Sequence, residues 1–325
     1  MPVVAVYAAV RIAQEGAMKA VLLTNHGGPE MLRYGDAPDP IAGAGEVVVD
    51  IHAASVNAAD YKVRLGGGPY GNLKFPHILG RDFSGVVSMV GAGVSDLAVG
   101  DAVFGVTDQG KEGAYAEKIA IKAAIVAKKP ARLGHVEAAV MALTSLTALW
   151  AIEDTAKLKP GETILIQGGA GGVAGFGIQL AKHIGAHVIT TASARNHDYV
   201  RSLGAERVID YTKEDFTTAV SGCDVVFDTV GGAVRAGCYK VLKPGGRLVF
   251  ISPTPDGFQP PRNDVATLRP AVNRDRAHLD RMLALLEAGA VWPPTIHRYK
   301  LADAAEAHRV SEGRHLQGKL VFEVR

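Results

Sequence analysis

The chain has little cysteine, few aromatic residues and no excess of charge of either sign. Only Cys223 and Cys238 are cysteines among 325 residues. Two thiols cannot build a disulfide framework or a cysteine-rich zinc lobe, and a reducing, cytoplasmic setting is the expectation. Basic and acidic residues number 35 and 33, a net charge of +2, scattered without a basic or acidic tail. That balance excludes the single-sign field of a nucleic-acid or membrane-surface protein, so neither partner is expected. No apolar run approaches the roughly 18 residues of a membrane-spanning helix. The apolar patch Val3 to Val10 is shorter still and lacks the basic residues that open a signal peptide. Residues 1–17 read as a tail before the first strand, Lys19 to Leu23, and Met18 is a candidate native start.

Aliphatic residues and glycine are abundant. Apolar residues make up 48 % and glycines number 38. The length suits about two domains of ~100–200 residues. From 18 to about 130, short stretches rich in valine, isoleucine and phenylalanine, such as EVVVDIHAASV (46–56), FSGVVSMVG (83–91) and DAVFGV (101–106), lie between glycine and proline clusters. That pattern predicts a small, mostly antiparallel β domain, assigned residues 18–140. The loop at 66–77 is long, and its Tyr70 and Phe75 are candidate lid aromatics. From about 136 the texture changes. HVEAAVMALTSLTALWAIED reads as one or two helices, and strands then alternate with helices. Such alternation predicts parallel βαβ units in a doubly wound sheet, assigned residues 141–270. Residues 271–325 hold an amphipathic helix at 274–288, a helix at 302–312 and a last strand from Lys319 to Val324.

The most informative stretch is ILIQGGAGGVAGFGIQLAKHIGA, residues 164–186, with seven glycines in 23 residues. Gly169-Ala170-Gly171-Gly172-Val173-Ala174 fits G-x-G-x-x-[G/A], after a strand and at the start of a helix. A glycine inside a helix costs about 0.5–1 kcal/mol relative to alanine, so the run needs a reason. Early glycines permit a tight turn, Gly171 and Gly172 let the backbone approach a pyrophosphate, and the helix N-terminus offers free N–H groups. Gly175 and Gly177 are expected to let the helix pack closely on the sheet. An NAD site usually carries a carboxylate at the end of the next strand. Here that strand ends Thr-Thr-Ala-Ser193-Ala-Arg195, and a hydroxyl with a guanidinium suits a 2′-phosphate, so NADPH is the expected cofactor.

With this unit and the β domain before it, the chain resembles the medium-chain dehydrogenase/reductase superfamily, in its zinc-free quinone oxidoreductase (ζ-crystallin-like) branch. The resemblance runs from about Met18 to Arg325 and rests on VNAADYKVRLG (56–66), ILGRDFSGVV (78–87), AVMALTSLTALWAI (139–152), ILIQGGAGGVAG (164–175), SLGAERVIDYT (202–212), VVFDTVGG (225–232), LKPGGRLVF (242–250) and QGKLVF (317–322). It implies a GroES-like β domain completed by the C-terminal segment, a Rossmann domain, an active site in the cleft between them, and a homodimer. Zinc-dependent relatives place a cysteine before the first helix and a Gly-His-Glu stretch later. This chain has Asn57 to Asp60 at the first place and Gly80-Arg81-Asp82 at the second, so no metal is expected.

The resemblance places Asn57 and Asp60 in the cleft. Asn57 could donate its amide to a substrate oxygen, with Asp60 orienting it; both residues also suit a helix cap. Lys62 stands where related quinone reductases often place a tyrosine, and joins the catalytic candidates. Thr147 matches a position at the nicotinamide end, or else bonds its own helix. Val173 and Val230-Gly231-Gly232 should shape the cofactor walls. Tyr211 reads as a partner for the adenosine end or as a plain strand-end tyrosine, and Lys319 as a cofactor contact or a solvated lysine. The reaction implied is hydride transfer to a quinone or to an α,β-unsaturated carbonyl, and the two acceptors remain open. A cofactor-binding protein with a structural or sensing role is the reading of another class.

Overall fold

The computed structural model describes residues 17–66, 71–108, 110–254 and 257–325; Tyr70 and most of the N-terminal tail lie outside them. Strand β1 (Ala17–Leu23) pairs with β2 (Leu32–Pro38) in a small antiparallel sheet. β3 (Glu46–Val56) then runs the length of the first domain and feeds α1 (Ala58–Leu65). Gly66 ends α1 at φ +73°, a backbone conformation that favours glycine. After β4 (His77–Ile78), strands β5 (Asp82–Val90), β6 (Ala102–Val106), β7 (Lys118–Lys122) and β8 (Val126–Lys128) complete the antiparallel β domain.

Helix α2 (His135–Leu149) crosses to the second domain and continues as a π-helical turn over Trp150–Thr155. Within these 21 residues an 18-residue stretch reaches a mean hydropathy of 1.4, long and apolar enough to cross a bilayer, which corrects the sequence reading that no such run exists. The helix is instead a core element, with 78 % of that stretch buried against both domains.

The second domain alternates strands with helices, except that its last two strands follow one another directly. β9 (Thr163–Ile166), α3 (Gly172–Ile184), β10 (His187–Thr191), α4 (His197–Ser202) and β11 (Arg207–Ile209) form one half. A short helix α5 (Phe216–Ala219), β12 (Cys223–Asp228), α6 (Ala233–Val241), β13 (Leu242–Phe250) and β14 (Ala266–Leu268) form the other. All pairings are parallel, in the order β11-β10-β9-β12-β13-β14. Strand order reverses between β9 and β12, where a doubly wound sheet opens a crevice for ligand.

The last segment supplies α7 (Arg276–Glu287), β15 (Ile296–Lys300), α8 (Ala304–Glu312) and β16 (Lys319–Glu323). β16 returns to the β-domain sheet and lies antiparallel to β3, with Leu320 opposite Val56. Its first turn also touches the glycine loop of the other domain. Gly318 N–H donates to Ala170 O at 2.8 Å, so one strand end ties the two domains together.

Candidate active site

Where β9 ends, the chain must turn sharply into α3. Gly168 does so at φ +73°, and Gly169 leaves no room for a side chain because a Cβ would stand 2.2 Å from Thr190 Oγ1. Gly175 N–H makes the first helical bond, to Gly171 O at 2.7 Å. Ahead of it Gly172, Val173 and Ala174 line a cleft of about 680 Å³ between the domains. Gly171 sits at the N-cap, and a Cβ there would meet only Gly168 O, at 3.5 Å. These N–H groups and this bare backbone fit a dinucleotide pyrophosphate. Gly177 packs as expected: a Cβ would approach Ile152 Cδ1 at 3.1 Å and Ile166 and Phe227 at 3.6 Å.

One end of the cleft is walled by Ser193, Arg195 and Tyr211 at the ends of β10 and β11. Arg195 Nη2 donates to His315 O at 2.6 Å, which brings the loop after α8 to this end. No aspartate or glutamate lines the cleft among the described residues. Val230 lines the opposite wall, half exposed at 45 %. Gly231 does not reach the cleft. Its N–H donates inward to Asp228 Oδ1 at 2.8 Å, while its neighbour Gly232 lines the wall.

Asn57, Tyr61 and Lys62 close the cleft from the β domain. Asn57 caps α1 in an extended conformation, and its backbone N–H donates to Asp60 Oδ2 at 2.9 Å. Its carboxamide is held on both sides. Oδ1 accepts from Lys319 Nζ at 2.6 Å, and Nδ2 donates to Asp82 Oδ1 at 2.7 Å. Asp82 accepts further from Ser55 Oγ at 2.8 Å and from Leu143 N–H at 3.3 Å. Burial pushes the Asp82 carboxyl up and the Lys319 ammonium down, and each opposes the shift of the other. Lys62 is half-buried in the cleft wall. Burial lowers its ammonium, and like charge from Arg314 and Arg81 lowers it further.

Asp60, Thr147 and Phe75, expected at the site, also stand elsewhere. Asp60 does not line the cleft. It is fully buried behind Asn57, accepts from Tyr115 Oη at 2.8 Å, and pairs with Arg81 at 3.5 Å. Burial pushes it up to about 6. Thr147 faces its own helix, with Oγ1 donating to Leu143 O at 2.7 Å; Thr144, almost one turn earlier, lines the cleft instead. Phe75 packs edge-on against His26 at 5.0 Å rather than over the cleft. The sequence reading also passed over Tyr61, Arg314 and the Ser252–Thr254 strand exit, all of which line it. The hydrophobic run into Ser252 was the available signal, since ligand crevices lie outside the carboxyl ends of such strands.

The two places that hold zinc ligands in metal-dependent relatives do come together here, but their donors do not fit a catalytic zinc. An amide, two carboxylates, a guanidinium and an ammonium are bonded to one another, with neither thiol nor imidazole among them. No group of three or more His, Cys, Asp or Glu among the described residues could hold a metal ion.

Comparison with known proteins agrees with this architecture. The family model of the alcohol dehydrogenase GroES-like domain matches residues 43–131, and that of the zinc-binding dehydrogenase matches residues 203–322. The 2-methylene-furan-3-one reductase of Solanum lycopersicum is 36 % identical over 85 % of this chain and 71 % of its own. The chloroplastic NADPH-dependent alkenal/one oxidoreductase of Arabidopsis thaliana is 33 % identical over 94 % of this chain and 79 % of its own. The solved quinone oxidoreductase of Coxiella burnetii superposes with a TM-score of 0.89 at 35 % identity, covering 95 % of this chain and all of that one. With its GroES-like β domain, its Rossmann domain and the nicotinamide-nucleotide cleft between them, this chain belongs to the medium-chain dehydrogenase/reductase superfamily and is an oxidoreductase of its quinone oxidoreductase-like branch.

Proposed function

We propose that the protein uses NADPH, without a metal, to reduce the carbon–carbon double bond of an α,β-unsaturated carbonyl. The observation that carries the reading is the pairing of two donors, Asn57 and Lys62, in a cleft wall across from a glycine-rich dinucleotide turn. The free N–H groups at the start of α3 would hold the pyrophosphate, and Ser193 and Arg195 the 2′-phosphate. When bound, the reduced nicotinamide supplies a hydride to the β-carbon of the acceptor. Negative charge then gathers on the carbonyl oxygen, where a preorganised donor is worth far more than in water. Asn57 has one amide N–H committed to Asp82 and a second without a partner among the described residues. Lys62 adds a cation whose lowered proton affinity eases release of a proton.

Similarity to enone and alkenal reductases supports the acceptor class. Similarity to quinone oxidoreductases favours a second reading, in which the same donors meet a quinone oxygen. The test is loss of NADPH absorbance by purified, metal-stripped protein, with a small straight-chain enone and a simple para-quinone offered separately. Faster turnover of the enone is expected. Faster turnover of the quinone selects the second reading, and restoration of activity by added zinc alone overturns the metal-free assignment.

A further inference from the structure

Lys319 is buried and lies at the joint of the two domains. Its stem covers the start of α3: a Cβ on Gly172 would sit 2.6 Å from Lys319 Cδ and 2.8 Å from Cγ. A lysine beside an anion-binding turn would ordinarily point its ammonium at the phosphate. This one turns away. Nζ donates to Val56 O at 2.7 Å and to Asn57 Oδ1 at 2.6 Å, both on the β-domain side. On the far side of the same carboxamide, Asp82 Oδ1 accepts from Asn57 Nδ2 at 2.7 Å.

A carboxamide with a donor on one side and an acceptor on the other has a single favourable orientation. Rotating it by half a turn would set its N–H₂ against an ammonium and its oxygen against a carboxylate, losing both bonds and creating two repulsions. Asp82 is itself fixed by Ser55 and by the N–H of Leu143, and Lys319 by the carbonyl of Val56, so the frame around the amide is rigid.

We propose that Lys319 is a positioning residue for the reduction: it locks the Asn57 carboxamide with its oxygen inward, so that only the uncommitted N–H can serve an acceptor in the cleft. The proposal rests on the role given to Asn57 above. Lys319 is thereby an orienting group for the carbonyl end rather than a ligand of the cofactor phosphates. Its charge also reaches Asp82 across the same amide, so one side chain sets both the geometry and the electrostatics behind the donor.

The experiment compares Lys319→Met, Asn57→Ala and the double variant with the parent protein. For each, turnover and KM for the accepted acceptor are measured, together with the dissociation constant for NADPH. Lys319→Met is expected to lower turnover by about as much as Asn57→Ala, roughly 10- to 100-fold for a lost charge-assisted hydrogen bond. NADPH affinity should change less than about twofold. The double variant should lose no more than either single one, because both remove one interaction. A loss of NADPH affinity that tracks the loss of turnover, or a double variant at the product of the single losses, overturns the proposal. Lys319→Gln keeps a donor on a shorter stem and is the second variant if Lys319→Met fails to fold; it should retain part of the turnover. The orientation itself is read without any acceptor, from the side-chain amide protons of Asn57 in ¹⁵N-labelled protein. Signals displaced from free side-chain amide positions and slow to exchange with solvent are expected in the parent, reverting toward free positions and fast exchange in Lys319→Met; signals unchanged by the substitution overturn the lock. If the parent protein reduces no acceptor, the proposed function fails while this spectrum still decides the role of Lys319.

Discussion

Arg235 and Asp228 form a buried ion pair, Nε to Oδ2 3.2 Å, at the strand ends that wall the cleft. Asp228 Oδ1 accepts the N–H groups of Val230 and Gly231 at 3.0 and 2.8 Å, while Arg235 donates to Ser252 O at 3.0 Å and Thr254 Oγ1 at 3.1 Å. The guanidinium also lies 4.1 Å from the Phe250 ring centroid. One side chain thus braces two cleft-lining loops. Arg235→Met leaves the carboxylate buried without its cation, and should cost about 3–5 kcal/mol in chemical denaturation. Arg235→Lys keeps the charge but loses the fork, and should fall between the two. A methionine variant as stable as the parent would show that the pair contributes nothing net.

Arg195 lies exposed at the Ser193 end of the cleft, with only a carbonyl as partner among the described residues. Arg195→Ala should weaken NADPH by roughly 10- to 100-fold, the range of a hydrogen bond to a charged group, and NADH less than about twofold. Titration of each nucleotide by fluorescence measures both. Equal losses would remove the 2′-phosphate assignment.

Two glycines of one turn should fail in different ways. Gly169→Ala drives a Cβ to 2.2 Å from Thr190 Oγ1, so its melting temperature should fall by several degrees or more. Gly171→Ala meets only one carbonyl, at 3.5 Å, and should fold normally while losing NADPH affinity. Melting curves with and without NADPH separate the two. A Gly171→Ala protein still strongly stabilised by NADPH would show that the pyrophosphate does not approach this residue.

Asp60 gives a pH signature. Burial raises it from 3.8 to about 6, against the pull of Arg81 and its hydrogen bonds from Asn57 and Tyr115. The folded protein therefore holds more protons than the unfolded chain between those values. Its contribution to stability is complete below about 4 and declines as pH rises through about 6. The stability of the parent relative to Asp60→Asn should decline over that range and level off above it. Urea denaturation at a series of pH values measures the difference. A difference that grows with pH would mean that Asp60 is held charged.

The dinucleotide half was legible because its signals are local. Gly172–Ile184 and His187–Thr191 fall where glycine, helical spacing and strand composition place them. Helix phase was harder to read. Thr144 and Thr147 are three residues apart, both bond their own backbone, and only packing decides which lines the cleft. Asp60 carries the residue type of a site and the burial of a cap, and Tyr115, 55 residues on, is what ties it inward. The partner of Asn57 was the least legible of all, since Lys319 lies 262 residues away and no spacing rule spans that distance.

The return of the last strand matters for anyone who would edit this protein. Terminal segments usually tolerate tags, trimming and relocation of the chain ends. Here a stop codon before Gly318 would remove the clasp on Ala170, the neighbour of β3 and the side chain that holds Asn57, all within six residues. A deletion that looks cosmetic would part the glycine turn from the Asn57 carboxamide that faces it across the cleft.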